Sequence, residues 1–297
     1  MRCAAKESEN CGAETIFVVA ICDFSRSPET IFAIKVVESI LTYMPEYSIV
    51  FPAYNESERI TRSLDQALQF VAQQGWDAEV IVVNDGSRDD TADIVRRYAA
   101  LHPIVHLLEN PGNRGKGYSV RNGVLHATGD YILFCDSDLS SPIREATTLF
   151  DALRTGADVA IGSRWLNPAL MTERQPVFRQ IAGRVFNLLN RTILGLKFKD
   201  TQCGMKAFTR EAAHNIFARQ RVERWGFDPE ILFLARKLGY RTVEIAVEWA
   251  HDDRSKINPV VDGMKMFLEM LQIRWNSASG RYVKAELEVS ANQIANK

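Results

Sequence analysis

The chain has 297 residues, of which 46% are hydrophobic and 25% charged, enough to bury a sizeable core in one large domain or two small ones. A formal net charge of -1 supplies no overall basic field, which argues against nucleic acid as a partner. Its five cysteines, at 3, 11, 22, 135 and 203, include no Cys-x-x-Cys pair and its five histidines are scattered, so neither a zinc knuckle nor a disulfide framework is suggested and a reducing compartment fits best.

Residues 1–46 show no stable period and read as a leader. The apolar run Ile16 to Cys22 is too short to span a bilayer, and Glu7, Glu9 and Glu14 ahead of it spoil a signal-peptide n-region. No export signal or membrane-spanning helix is expected. Met44 offers an alternative start, so the leader is either a start-codon artefact or a disordered or loosely packed extension.

A strand-and-helix alternation begins at Tyr47. Ser48 to Phe51, Glu79 to Asp85, Ile104 to Leu108, Tyr131 to Asp136 and Asp158 to Ile161 are short apolar runs, separated by helical stretches such as Ser57 to Gln74 and Thr91 to Ala100. Strands apolar almost throughout predict an α/β fold: a doubly wound, mostly parallel sheet with helices on both faces and ligands at the strands' carboxyl ends. One domain over 47–275 with a C-terminal tail, 276–297, is the simplest organisation. Its second half carries a long helical stretch from Gln175 and an apolar helix over Val260 to Trp275, read either as core or as a surface for a prenyl chain or shallow membrane contact.

Asp136 and Asp138 close the fourth strand, where alternate side chains of an extended segment point the same way. Two carboxylates so placed suit Mg²⁺ or Mn²⁺ together with a diphosphate, although solvated turn aspartates share the pattern. Asp85, before Gly86-Ser87, is placed either to accept hydrogen bonds from a ribose or base or to cap the next helix, a role that Asp89 or Asp90 could also fill. Lys116, between Gly115 and Gly117, opens a helix whose N-terminus favours phosphate, but the full GxxxxGK[ST] spacing is missing. Arg164 follows the fifth strand, and Arg179 and Arg184 begin the next helix. Their guanidinium forks match phosphate oxygens, with surface ion pairing the alternative. Trp225, Phe227 and Asp228 form either a sugar-stacking group or a core aromatic cluster.

Together, Phe51-Pro52-Ala53-Tyr54-Asn55-Glu56, Val83-Asn84-Asp85-Gly86-Ser87, Asn113-Arg114-Gly115-Lys116-Gly117 and Asp136-Ser137-Asp138 resemble the inverting family 2 glycosyltransferases of GT-A fold. Asp200-Thr201-Gln202-Cys203-Gly204-Met205-Lys206, Val222 to Asp228 and Arg254-Ser255-Lys256 resemble the dolichyl-phosphate β-glucosyltransferase branch. The resemblance runs from about Tyr47 to Trp275. It implies that Pro52, Tyr54, Glu56 and Asp85, with Lys116 and Asp136, hold the nucleotide, that Asp136 and Asp138 hold Mg²⁺ or Mn²⁺, and that Arg164 and Arg179 hold the acceptor phosphate. It also implies that Asp200, Gln202, Trp225 and Asp228 stand near the sugar, with Asp138 among the catalytic residues. Asn84 stands where the family usually carries the first acid of Asp-Asp-Gly-Ser, and Ser140 where some mannosyl relatives carry glutamine.

The implied reaction moves glucose from UDP-glucose to a polyprenyl phosphate with inversion, on the cytoplasmic face of a membrane where the enzyme is peripheral, held directly, through a membrane-anchor partner or as a homo-oligomer. A mannosyl or other sugar transferase onto polyprenyl phosphate is the near alternative. A silent binding subunit is a more distant one, against which the intact Asp136 and Asp138 argue. A nicotinamide oxidoreductase is disfavoured, since the first strand runs into Pro52-Ala53-Tyr54-Asn55 instead of a G-x-G-x-x-G turn.

Overall fold

The computed structural model describes residues 44–171, 177–250 and 261–283, without the side chains of 177–179, 181, 261 and 262. The first strands and helices alternate as β1 (Tyr47–Ala53), α1 (Ile60–Gln74), β2 (Ala78–Asn84), α2 (Thr91–Leu101), β3 (Val105–Glu109), α3 (Lys116–His126), β4 (Tyr131–Cys135), α4 (Ala146–Arg154) and β5 (Val159–Ser163). They are followed by α5 (Val177–Ile193), β6 (Met205–Thr209), α6 (Arg210–Arg219), α7 (Phe227–Lys237), β7 (Thr242–Ala246) and α8 (Val261–Ala278).

The strands form one sheet of order β3-β2-β1-β4-β6-β5-β7. Strand β1 is buried along its whole length and pairs in parallel with β2 and β4. Both of its faces are therefore covered, which is why Tyr47 to Ala53 reads as a nearly unbroken apolar run. Along it the side chains alternate: Ile49 and Phe51 join a core layer with α1, α2 and α4, while Val50 joins the opposite layer with α3, α6, α7 and α8. The doubly wound, mostly parallel sheet expected from the sequence is the one observed.

Strand β6 departs from that pattern, running antiparallel to both β4 and β5. Because it runs the other way, its amino end lies at the carboxyl ends of the parallel strands, with Met205 opposite Cys135. The Asp200 to Gly204 segment is thereby delivered to the functional rim.

Helix α8 belongs to the core on one side only. Met266, Met270 and Ile273 are buried, whereas Met264, Leu268, Leu271 and Trp275 form an exposed stripe at helical spacing, with Trp275 65% exposed. Among the described residues, no helix is long and apolar enough to cross a membrane.

Candidate active site

The carboxyl ends of β1, β2, β4 and β5 open on a cleft of about 540 Å³ lined by Pro52, Asp85, Asp136 and Arg164. Clefts of this kind form where an open α/β sheet reverses its strand order. Tyr54, Glu56, Lys116, Asp138, Asp200, Gln202, Trp225 and Asp228 line the same cleft, so the structure gathers the residues singled out in the sequence. Arg179 lies in the first turn of α5, but its side chain, and the whole of Arg254-Ser255-Lys256, fall outside the described residues.

The loop after β1 is strapped to the loop after β2. The Asn55 N–H donates to Ser87 Oγ (3.0 Å), the Arg88 N–H to Asn55 Oδ1 (2.8 Å) and the Glu56 N–H to Thr91 Oγ1 (2.8 Å). Asn84 Oδ1 accepts the Ser87 N–H at 3.1 Å, so the amide at this position closes the turn. Asp89, not Asp85, serves the start of α2, accepting the N–H groups of Thr91 and Ser57, both at 3.1 Å. Burial opposes its charge, but the hydrogen bonds to Thr91 and Ser57 hold its carboxyl down to about 2.

Asp85 instead organises the entry to α3. Its Oδ1 accepts from Asn110 Nδ2 (2.8 Å) and the Arg114 N–H (2.9 Å), and its Oδ2 from the Gly115 N–H (2.8 Å). The glycines around Lys116 are required by packing. A Cβ on Gly115 would stand 2.6 Å from the Glu223 carbonyl, and one on Gly117 2.6 Å from the Val222 carbonyl. Lys116 is thus fixed at the first turn of α3, its ammonium ion-paired with Asp136 and 5.5 Å from the Trp225 ring centre. Burial works against that charge, but the carboxylates of Asp136, Asp228 and Asp138 outweigh it and raise the lysine's pKa.

The Asp136-Ser137-Asp138 turn is held from three sides. The Asp136 N–H donates to the Gly204 carbonyl (3.1 Å), Ser63 Oγ donates to the Ser137 carbonyl (2.6 Å), and the Ser140 N–H donates to Asp138 Oδ1 (2.9 Å). Burial, and then the Asp136 charge, raise the pKa of Asp138. Two mutually repelling oxygen donors on a turn open to the cleft fit a hard divalent cation, Mg²⁺ or Mn²⁺, that takes further ligands from water and a diphosphate. Among the described residues no group of three or more His, Cys, Asp or Glu is gathered, so no closed cage of protein ligands is built there. Arg59 stands at the edge, Nη1 3.9 Å from Asp138 Oδ2 and Nη2 2.8 Å from Glu56 Oε1.

Two further buried ion pairs border the cleft. Arg164 grips Asp200 through Nε (2.6 Å) and Nη2 (2.8 Å), with its guanidinium 5.4 Å from the Trp249 ring centre. Asp200, 2% exposed, also accepts the Gln202 N–H (3.1 Å), while its own N–H donates to Glu244 Oε1 (2.7 Å). Burial opposes the Asp200 charge, but Arg164 prevails and lowers its pKa. Asp228, at the start of α7, pairs with Lys206 Nζ at 2.6 Å, yet burial outweighs that partner and raises its pKa. The aromatic cluster divides: Phe227 is core, whereas half-buried Trp225 faces the cleft. Gln202 lines the cleft with a buried Nε2 that has no hydrogen-bond partner.

Sequence reasoning gave no role to Lys206, which it met only as the last residue of the Asp200 to Lys206 motif, and overlooked Arg59 and Glu244. Lys206 left a signal as the single cation within Met205–Thr209, a strand otherwise free of charge. Arg59 sits three residues after Glu56, a spacing suited to pairing, but its approach to Asp138 is a long-range contact.

The sequence model described as Glycosyl transferase family 2 matches residues 48–217, the span that supplies every rim loop up to α6. The chain belongs to glycosyl transferase family 2. Trp225 and Asp228 lie beyond the matched span. Dolichyl-phosphate beta-glucosyltransferase ALG5C of Trichomonas vaginalis is 41% identical over 265 residues, covering 83% of this chain and 77% of that protein. Human dolichyl-phosphate beta-glucosyltransferase is 32% identical over 250 residues, covering 80% and 77%. Among solved structures, glucosyl-3-phosphoglycerate synthase from Mycobacterium tuberculosis, in complex with Mn²⁺, UDP and glucosyl-3-phosphoglycerate, has a TM-score of 0.54 at 20% identity and covers 84% of each chain. This last likeness gives the fold, which is of GT-A type. As a family 2 member the chain is a glycosyltransferase.

Proposed function

We propose that this family 2 glycosyltransferase moves glucose from UDP-glucose to a polyprenyl phosphate of the dolichyl type, inverting the anomeric centre. The observation that carries the reading is the cleft itself, which brings the Asp136 and Asp138 carboxylates together with Arg164, Asp200, Trp225 and Asp228. The 41% identity to a dolichyl-phosphate beta-glucosyltransferase supports the choice of sugar and acceptor.

In this reading Pro52, Tyr54, Glu56 and Asp85 flank the nucleotide, and Lys116 reaches its diphosphate. Asp136 and Asp138 hold Mg²⁺ or Mn²⁺, which when bound neutralises the charge that grows on the departing diphosphate. The Mn²⁺ and UDP held by the mycobacterial synthase of the same fold support that choice. Arg164 keeps one edge on Asp200 and offers Nη1, with Arg179, to the acceptor phosphate. Gln202 Nε2, Trp225 and Asp228 orient the sugar hydroxyls. A phosphate monoester has a second pKa near 6 and is largely dianionic at neutral pH, so no strong base is needed. The chain's task is to hold that oxygen in line behind the anomeric carbon.

The exposed stripe Met264, Leu268, Leu271 and Trp275, with Val185 and Leu188 of α5, supports a peripheral seat on a membrane. Lys265, Arg274, Arg184 and Arg191 on the same two helices would meet anionic head groups. Other residues of these helices, Ala182, Phe186 and Met266, line the cleft, so a lipid's phosphate end would have a short path inward. The cytoplasmic face is the side on which sugar nucleotides are available.

The test is transfer of sugar into the lipid phase from UDP-glucose or GDP-mannose, with Mg²⁺ and a short polyprenyl phosphate. Glucose appearing in the lipid phase supports the reading. Mannose alone would move the chain to another acceptor-sharing branch, and no transfer from either donor would overturn it.

A further inference from the structure

The ammonium of Lys116 stands where the two halves of the proposed donor site meet. It is ion-paired with Asp136 Oδ1, and the Trp225 ring centre is 5.5 Å away. Its backbone has little freedom to move, because Gly115 and Gly117 on either side press against the Glu223 and Val222 carbonyls, and Asp85 holds the Gly115 N–H at 2.8 Å. The four-carbon side chain is the part able to swing. The turn it faces carries two carboxylates, Asp136 and Asp138, and no third His, Cys, Asp or Glu joins them among the described residues. With Lys116 seated on Asp136 and Arg59 Nη1 3.9 Å from Asp138 Oδ2, a divalent cation arriving alone meets a pair already largely offset by protein cations and must displace the ammonium. An incoming diphosphate offers the ammonium another anion and the cation additional oxygen ligands.

We propose that Lys116 is an internal counter-ion of the Asp136/Asp138 turn: it holds Asp136 while the site is empty and passes to the diphosphate on binding, which couples the uptake of cation and nucleotide. This rests on the reading of Asp136 and Asp138 as cation ligands. The coupling is a charge exchange at one side chain and requires no loop closure. It is reciprocal, since a cation that frees Lys116 strengthens the diphosphate's hold by the same factor.

Mn²⁺ binding to the full chain, followed by electron paramagnetic resonance of the free ion with and without UDP, tests this independently of catalysis. For the unaltered protein, UDP is expected to tighten Mn²⁺ about tenfold or more, within the usual range of coupling between sites. In Lys116→Met, and in Lys116→Gln as a second neutral variant, Mn²⁺ without UDP should bind several-fold more tightly and the effect of UDP should shrink, whereas Lys116→Arg should keep the coupling. Unchanged Mn²⁺ affinity and unchanged coupling in folded neutral variants would overturn the proposal. Mn²⁺ binding indifferent to Asp138→Asn, even with UDP, would show instead that the cation assignment had failed.

Discussion

Asp228 shares the interior with a lysine: Lys206 Nζ lies 2.6 Å from Asp228 Oδ1 and 2.6 Å from the Cys203 carbonyl, on a side chain with no exposed surface. The pair joins the middle of the sheet, at β6, to the first turn of α7, and so sets where Asp228 meets the cleft. Replacing one partner of a buried pair strands the other charge. Lys206→Met is therefore expected to cost about 3–5 kcal/mol of stability. Adding Asp228→Leu should recover much of that loss, because it removes the stranded carboxylate. Urea unfolding of Lys206→Met, Asp228→Leu and the double variant checks this; a double variant as unstable as the sum of its single changes would deny the coupling.

Gly204 is the residue against which Asp136 rests, since a Cβ there would lie 2.1 Å from Asp136 Oδ2. Gly204→Ala must push that carboxylate aside. Sugar transfer should fall by about 10²-fold, the scale of a small misplacement of a reacting group, with the thermal midpoint little changed. An alanine variant with unaltered transfer would mean that the Asp136 position is unimportant for turnover.

Asp138→Asn and Asp228→Asn should differ in kind. Asp138→Asn removes a charged oxygen donor from the proposed cation site and is expected to abolish transfer even at saturating Mg²⁺ or Mn²⁺. Asp228→Asn keeps the side chain's shape and should leave measurable turnover, because in the proposed mechanism that residue orients and does not deprotonate. Transfer into the lipid phase measures both, and near-normal turnover in the Asp138 variant would remove it from the cation site.

A pH dependence follows from Glu230 in α7, which is fully buried and accepts the Arg221 and Val222 N–H groups on Oε2 and the Tyr282 hydroxyl on Oε1. Burial pushes its carboxyl up from 4.5 to about 7, against the lowering effects of Tyr282, Val222, Arg221 and Arg121. The folded chain therefore keeps a proton that the unfolded chain releases between those two values. Stability should fall as pH rises from about 4.5 through about 7 and level off above, a change on the order of 3 kcal/mol. Glu230→Gln, neutral at every pH and of the same shape, should flatten this part of the profile. Denaturant unfolding at pH 5 and pH 8 measures it, and equal slopes in both proteins would exclude Glu230 as the source.

Much of the donor half was legible in the sequence because each feature is local. Apolar runs ending in Pro52-Ala53-Tyr54, Asn84-Asp85-Gly86 and Asp136-Ser137-Asp138 mark parallel strands and the loops at their carboxyl ends, and the sheet brings those loops to one rim. The acceptor half was less legible. The polar segment Asp200 to Met205 gave no sign that the following strand would run antiparallel between β4 and β5, and that reversal is what carries Asp200, Gln202 and Gly204 to the rim.

Residue type and spacing by themselves determined the doubly wound class of sheet, the family resemblance and many of the rim residues, because these are written in local patterns: apolar runs, turn residues and short motifs. Only the tertiary structure decided the partners. Asp85 holds the Gly115 turn while Asp89 serves α2, Arg164 is committed to Asp200, and Lys206 meets Asp228 across 22 positions. Charges separated that far along the chain are paired by the route of the backbone through the sheet. Their meeting inside the protein, where an unpaired charge is costly, has no counterpart in local sequence.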